Sequence, residues 1–218
     1  MTPELYVRAI ALNNQGALLF EAGKLKQAHD SFRLAMDSIT KGMTKKGETD
    51  CSQNGETGYA WSCNPCLPLH AAQPSTFVYQ HAITLRAADL ASMAECQLES
   101  AAIVWNMGLC FFIMGLANPK DRYLRRALKF YELARVIRRI GHRGSQEMID
   151  LALLNNIGQI HCEFLEYAEA RSWFNLVSEH LALLHHTGFM TNRVEPQDCD
   201  GFVMNVLMAE EPTCSAAA

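Results

Sequence analysis

The side chains best suited to chemistry in this sequence are a group of cysteines and a histidine between positions 51 and 70. Cys63 and Cys66 form a C-x2-C pair, with Cys51 upstream and His70 downstream. Thiolate and imidazole groups at such spacings bind zinc tetrahedrally. Only one close pair is present, so the sequence favours cysteines within a loop. A metal-binding or enzymatic role for this group is the alternative interpretation.

No catalytic arrangement stands out elsewhere in the sequence. Cys110 and Cys162 lie in apolar stretches, where a thiol acts as a small hydrophobic side chain. His180, His185 and His186 fall near the end of an expected helix, where basic groups interact favourably with the helix dipole. Serine-hydrolase, zinc-protease and phosphate-loop motifs are absent from the sequence. We therefore expect no enzymatic activity, no catalytic residue, no metal and no cofactor.

Three asparagines occur in a repeated context that suggests binding rather than catalysis. Each precedes a glycine by two positions inside an apolar helical run, where a glycine costs about 1 kcal/mol relative to alanine. The asparagine amide can donate a hydrogen bond to a peptide backbone and accept one from it. Alternatively, it can bond a neighbouring helix, and the sequence leaves both interpretations open. The three asparagines are Asn14, Asn106 and Asn156.

The glycines that follow these asparagines share a register with residues downstream. A small residue and then an aromatic one follow Gly16 and Gly158 at offsets of 12 and 16. The same partners follow Gly108 later, because "LANPKDRY" inserts about seven residues between two helices. The small and aromatic partners are Ala28 with Phe32, Ala170 with Phe174, and Ala127 with Tyr131.

This register resembles the tetratricopeptide repeat, a helical hairpin of about 34 residues with a glycine and A-x3-F at fixed offsets. The resemblance implies that the first helix of each hairpin approaches the second closely at the glycine, and that the aromatic ring fills the remaining space. It also implies a superhelix of three hairpins with a concave face. Asn14, Asn106 and Asn156 would lie on that face and bind a peptide.

Most of the chain, roughly 3–40 and 77–208, is also similar to an expanded group of tetratricopeptide-like proteins in diatoms and related algae. The segments that carry this similarity are "LNNQG", "FVYQHAITL", "SAAIVWNMGLCFFIMGL", "LLNNIGQI" and "FVMNVLM". The function of that group is largely unassigned, so the similarity implies an architecture only.

The periodicity predicts a mainly α-helical protein with six long helices. They are expected at about 3–22, 25–40, 97–117, 121–142, 145–163 and 166–186. Residues 41–75, rich in glycine, asparagine, serine, proline and charge, are interpreted as a flexible insertion.

Two further segments have the pattern of β-strands. In 77–85, aromatic and β-branched residues alternate with polar ones, and 202–208 is short and apolar. We expect these two segments to pair as a small two-stranded ribbon. The alternative interpretation is that the tail lies in the concave groove as a removable self-inhibitor. The chain would then form one structural domain of four parts: the first hairpin at 1–40, the insertion at 41–75, the second and third hairpins at 76–186, and a tail at 187–218.

Positive charge is concentrated in the second hairpin. Positions 120 to 143 contain nine basic residues and two acidic ones. The local net charge is therefore +7, in a chain whose net charge is −4. Arg122, Arg125, Arg126 and Lys129 share one helical face. This face is either an ordinary solvated surface or a docking site for an acidic partner. RNA is less favoured, because no aromatic residues stand between the arginines to stack bases.

The overall composition agrees with a globular scaffold. Apolar residues make up 49% of the sequence, and the modest net charge gives no strong attraction to nucleic acid or membrane. The first ten residues, with Glu4 among them, do not resemble a targeting leader. We therefore expect a cytoplasmic protein, with a nuclear location as the alternative, that binds a protein or peptide partner on a concave helical surface.

Overall fold

The computed structural model describes residues 2–44, 77–86, 97–118, 121–140, 147–186 and 196–210. The protein is mainly helical, as the sequence predicts. The helices in these residues are α1 (Pro3–Glu21), α2 (Leu25–Thr44), α3 (Gln97–Ala117), α4 (Asp121–Ile140), α5 (Glu147–Glu163), α6 (Tyr167–His186) and α7 (Pro196–Glu210). The first six begin and end within a few residues of the predicted positions. The exception is α2, which continues four residues past its expected end at position 40.

The chain divides into two compact units. The first unit comprises Met1–Leu67 and Gln80–Gly144, and the second comprises Pro68–Tyr79 and Ser145–Ala218. The first therefore contains α1 to α4, and the second contains α5 to α7. Most of the predicted insertion, residues 45–75, lies outside the described residues. Residues 41–44 belong to α2 instead.

The helices pack as hairpins in which each predicted glycine meets its predicted aromatic ring. A Cβ atom added at Gly16 would lie 2.5 Å from the Phe32 ring, and one at Gly158 would lie 2.9 Å from the Phe174 ring. In the remaining hairpin, a Cβ atom at Gly108 would lie 2.8 Å from the Tyr131 ring. Real Cβ atoms do not approach other atoms so closely. The three glycines are therefore needed for close helix packing, which confirms the register expected from the sequence.

The loops that close the first and third hairpins have the same backbone conformation. Gly23 has a φ angle of 72°, and Leu165, at the same offset from its repeat glycine, has a φ angle of 62°. In both loops this residue donates to the carbonyl three residues earlier, and the next residue donates to the carbonyl five residues earlier, all at 2.9 Å. This is the left-handed helix cap that usually requires glycine. In the third hairpin a leucine, Leu165, adopts this conformation.

The core of the first unit surrounds α3, which is buried along nearly its whole length. The Trp105 ring stacks on the Tyr131 ring with centroids 4.9 Å apart, and Phe112 meets Tyr131 edge-on at 6.1 Å. Among the described helices, only α3 is long and apolar enough to cross a membrane. However, 83% of its most apolar window is buried inside the protein, as expected for a helix that forms a core.

The predicted strand at 202–208 is wrong, because these residues lie in helix α7. Phe202, Asn205 and Val206, spaced as one face of a helix, are buried, whereas Val203 and Leu207 are exposed. The alternation of apolar residues in the sequence is thus a coincidence within a helix whose inner and outer faces are both largely apolar. Periodicity alone does not separate a short strand from a helix in such a run.

The expected β-ribbon is absent from the described residues. Residues 77–86 have no helical conformation, which fits the predicted extended segment, but 202–208 offers no strand for it to pair with. The backbone of this segment is held instead by asparagine side chains on the helices.

Candidate peptide-binding site

Four residues of the segment 77–86 are buried, although the segment is not part of a sheet. The side chains of Tyr79, Ile83 and Leu85 are 4%, 4% and 8% exposed. Buried backbone N–H and C=O groups need hydrogen-bond partners, because leaving them unpaired costs free energy. The contacts of this segment therefore show how each unit supplies hydrogen-bond partners to the backbone of the extended chain.

In the second unit, asparagines on α5 and α7 bind two residues of the segment. The Tyr79 N–H donates to Asn156 Oδ1 at 3.0 Å, and Asn156 Nδ2 donates back to the Tyr79 carbonyl at 2.9 Å. On α7, Asn205 Oδ1 accepts from the Phe77 N–H at 3.0 Å, and its Nδ2 donates to the Phe77 carbonyl at 2.7 Å. Each amide thus pairs with both backbone groups of one residue.

The first unit uses the same arrangement on α1 and α3. The Ile83 N–H donates to Asn106 Oδ1 at 2.7 Å, and Asn106 Nδ2 donates to the Ile83 carbonyl at 2.8 Å. Asn14 makes the equivalent pair with Leu85, and both distances are 2.7 Å. Each of these asparagines thus replaces one residue of a neighbouring antiparallel strand.

The spacing of the bound residues follows from the geometry of extended chain. Phe77 and Tyr79 are two residues apart, as are Ile83 and Leu85. In an extended backbone the N–H and C=O of alternate residues point to the same edge, whereas those between point to the other edge. Asparagines along one side can therefore contact every second residue.

Further amides orient these asparagines. In the first unit, Asn13 Nδ2 donates to the Ile83 carbonyl at 2.8 Å, and Asn13 Oδ1 accepts from Asn106 Nδ2 at 2.9 Å. Asn13 and Asn106 are both fully buried. Because a buried amide without partners is costly, this network fixes which way each asparagine points.

The second unit repeats this support. Asn155 Nδ2 donates to the Phe77 carbonyl at 3.2 Å and to Asn156 Oδ1 at 3.1 Å. Asn155 Oδ1 in turn accepts from Asn205 Nδ2 at 2.7 Å. Asn155 on α5 thus links the two asparagines that pair with the segment, just as Asn13 adjoins those of the first unit.

Aromatic packing surrounds the segment in the second unit. The Phe77 ring lies directly against Gly201, where a Cβ atom would overlap it. The ring also meets Phe202 edge-on, with centroids 5.1 Å apart, and the Tyr79 ring stacks on Phe202 at 5.9 Å. The N-terminal half of α7 therefore forms the apolar part of this site.

In the first unit the buried side chains of the segment are aliphatic. The Trp105 indole N–H donates to the His81 carbonyl at 3.2 Å. Ala82, Ile83 and Leu85 are all buried. This site therefore holds small and branched aliphatic side chains.

The structure places the predicted asparagines against a peptide backbone, but the bound peptide is the protein's own. Asn14, Asn106 and Asn156 each bind a residue of 77–86, which fits the peptide-binding interpretation. Asn106 also bonds Asn13 on another helix, which fits the alternative. Both interpretations of the sequence therefore describe part of one network.

The sequence interpretation missed Asn13, Asn155 and Asn205. The first two form Asn-Asn doublets with predicted residues, and a doublet inside an apolar helix is a signal that both amides have buried partners. Asn205 lies in a segment that the sequence predicts to be a strand, and a strand has no register in common with the helical asparagines.

The predicted basic face lies on α4 and is exposed. Two of its arginines contact aromatic rings: the guanidinium carbon of Arg126 is 5.4 Å from the Phe111 ring centroid, and that of Arg122 is 4.8 Å from the Tyr123 ring. Arg125 forms an i,i+4 ion pair with Asp121 at 3.9 Å. Lys129 is also exposed. The docking of an acidic partner on these four residues stays a prediction from the sequence.

The described cysteines have the properties of structural thiols. Burial raises the pKa of the Cys110 thiol far above its usual range. Burial, and secondarily the neighbouring Glu163, raises the pKa of Cys162. Thiolates are the reactive form of cysteine, so these positions are poorly suited to nucleophilic chemistry. Cys51, Cys63, Cys66 and His70 lie outside the described residues.

No family model, curated protein or solved structure matches this chain. Within the residues that the structure describes, no group of three metal-binding side chains occurs. The described residues best suited to binding are the asparagines that hold the segment 77–86.

Proposed function

We propose that the protein is a scaffold that binds the main chain of an extended polypeptide, using asparagines on helices α1, α3, α5 and α7. The hairpins are proposed to be tetratricopeptide-like repeats that together form the superhelix expected from the sequence. The protein is proposed to be non-enzymatic and cytoplasmic, with a peptide or protein as its partner.

One observation carries this proposal. Four asparagine side chains each pair with both the N–H and the C=O of a single residue in 77–85. Helices that only pack against each other have no need for amides directed at extended chain. The repetition of this contact in each unit supports two sites that hold extended chain.

The asparagine contacts do not depend on the side chains of the bound residues, because every non-proline residue offers the same N–H and C=O groups. A second peptide could form the same hydrogen bonds if the resident segment left the site. We therefore propose that the resident segment and an external partner use the same asparagines.

The test weakens the resident segment within the full chain. Tyr79→Pro and Ile83→Pro together remove two N–H donors, to Asn156 and Asn106, and two buried side chains. A fluorescent peptide with the sequence of residues 76–87 is then titrated against this double variant. The proposal predicts saturable binding, measured as fluorescence anisotropy.

A matched pair of asparagine substitutions separates specific from general binding. Asn156→Ala, added to the double variant, removes one bidentate contact and should weaken peptide binding at least tenfold. Asn175→Ala removes an exposed asparagine from α6 and should leave binding unchanged. Circular dichroism establishes that each variant is folded. Absence of binding by a folded double variant contradicts the proposed function.

A further inference from the structure

We propose that residues 77–86 are a built-in competitor, and that the external partner is an extended peptide with an aromatic-x-aromatic motif in the register of Phe77 and Tyr79. This inference rests on the proposed function and adds to it the side-chain chemistry of the partner and the regulation of the site.

The requirement for the first aromatic residue comes from Gly201. The Phe77 ring occupies the space where any side chain at position 201 would begin. Phe202 closes the same space from the side, with its ring edge-on to Phe77. Edge-to-face contacts at this distance are favourable for aromatic rings. An aliphatic residue in place of Phe77 would leave part of this pocket empty.

The requirement for the second aromatic residue comes from the Phe202 ring, which stacks on Tyr79. The Tyr79 side chain is 4% exposed, and its ring lies nearly parallel to the Phe202 ring, at an interplanar angle of 20°. One ring on α7 thus contacts both aromatic side chains of the segment. Because the asparagines contact only the backbone, this ring and Gly201 provide the side-chain selectivity of the second unit.

The first unit favours different side chains. Ile83 and Leu85 are buried there, and Asn106 and Asn14 hold their backbones. The first unit therefore favours a peptide with an aliphatic-x-aliphatic motif in the register of Ile83 and Leu85.

A tethered competitor raises the concentration that an external peptide needs. A segment that belongs to the same chain as its own site has an effective concentration on the order of millimolar. A free peptide with the same contacts would then bind the wild-type protein with an apparent Kd on the order of millimolar, however tightly it binds an empty site. Micromolar binding requires a weakened resident segment or a partner that makes contacts beyond the motif.

The first experiment compares the full-length wild type with the Tyr79→Pro/Ile83→Pro variant. The fluorescent 76–87 peptide should bind the variant at least tenfold more tightly than the wild type. A second peptide, with alanine in place of the residues equivalent to Phe77 and Tyr79, should bind the variant at least tenfold more weakly than the first. Equal affinity of the first peptide for both proteins overturns the built-in competitor.

The second experiment fills the aromatic pocket. Gly201→Val in the double-proline background should abolish binding of the peptide with phenylalanine at position 77. A peptide with glycine at that position should lose less affinity, because it no longer meets the added side chain. Met204→Val, at a 54% exposed position of the same helix, is the control and should bind the first peptide as before.

The two proposals fail in distinguishable ways. If the folded double variant binds neither peptide, the proposed function is wrong. If it binds both peptides equally, or if Gly201→Val has no effect, the site binds peptides but the aromatic motif is wrong.

A measurement on the wild-type protein covers the case in which the double variant does not fold. Addition of the 76–87 peptide at millimolar concentration should accelerate amide hydrogen exchange at Tyr79 and Ile83 of the protein, because displacement exposes both N–H groups. Unchanged exchange at saturating peptide overturns the competitor proposal.

Discussion

Asparagine suits the contacts described here because its short side chain ends in one donor and one acceptor group held in a plane. Aspartate, with acceptors only, would satisfy the N–H of a bound residue but not its carbonyl. Glutamine has the same groups on a longer and more mobile side chain, which costs more conformational entropy to fix. The residue type is therefore part of the mechanism of main-chain binding.

Asn106 should be among the most sensitive polar positions of the first unit. Asn106→Ala removes the acceptor for the Ile83 N–H and a donor to the Ile83 carbonyl and to Asn13. Since an unpaired buried polar group costs about 1–3 kcal/mol, the free energy of unfolding should fall by at least about 2 kcal/mol. Urea denaturation measures this change, and Asn175→Ala serves as the control. A loss below about 0.5 kcal/mol would contradict the buried network.

At the scale of the helices, the turn at Leu165 is strained where the equivalent turn at Gly23 is not. A left-handed conformation costs an ordinary residue about 1–2 kcal/mol, and the Leu165 side chain is 70% exposed. Leu165→Gly should relieve this strain, although the greater freedom of glycine in the unfolded chain offsets part of the gain. We expect a net stabilisation of about 0.5–1 kcal/mol by thermal denaturation.

Leu165→Ala is the matched control for that prediction, because alanine keeps the strained φ angle while the exposed side chain is removed. Gly23→Ala should show the opposite effect and lower stability by about 1 kcal/mol. If Leu165→Gly were less stable than Leu165→Ala, the conformational account of this turn would be wrong.

The third hairpin offers a test of close helix packing. Gly158→Ala places a Cβ atom 2.9 Å from the Phe174 ring and should destabilise the protein by about 1–3 kcal/mol through overpacking. Phe174→Leu removes part of that ring. In a double-mutant cycle, the second substitution should therefore reduce the cost of the first by at least about 0.5 kcal/mol. Additive costs would show that the glycine is needed for another reason.

The sequence predicts most of the helical elements but not the position of the segment between them. The glycine and aromatic offsets identify the hairpins, because close packing restricts the residues at the crossing. Residues 77–85 have the alternation of a strand, and the pattern of 202–208 predicts a second strand that would pair with it. The real partners are single side chains on separate helices, and no local pattern in the sequence identifies such long-range contacts.

At the scale of the whole molecule, stability should depend on the ionisation of Glu99. Its Oε1 accepts a hydrogen bond from the Tyr6 hydroxyl at 2.8 Å, whereas its buried Oε2 has no partner. Burial raises the pKa of this carboxyl, although the Tyr6 hydrogen bond opposes the shift. The folded protein therefore binds this proton more tightly than the unfolded chain does.

That difference fixes the direction of a pH effect. From the ordinary carboxyl pKa of 4.5 up to the raised pKa of the folded state, the Glu99 contribution to the free energy of unfolding falls as pH rises. Glu99→Gln removes this contribution. Relative to the wild type, the variant should gain stability with rising pH in that window, measured by urea denaturation. Glu169→Gln, at an exposed position on α6, is the control, and a pH-independent difference for Glu99→Gln would contradict the account.

The central claim is that individual asparagine side chains hold the backbone of 77–85, and residue-resolved amide hydrogen exchange tests it most directly. Asn156→Ala should accelerate exchange of the Tyr79 amide by at least tenfold relative to the wild type while that of Ile83 changes less. Asn106→Ala should do the reverse, because it frees the Ile83 N–H in the other unit. Unchanged exchange at Tyr79 in a folded Asn156→Ala protein, with the same result at Ile83 in Asn106→Ala, would contradict the claim.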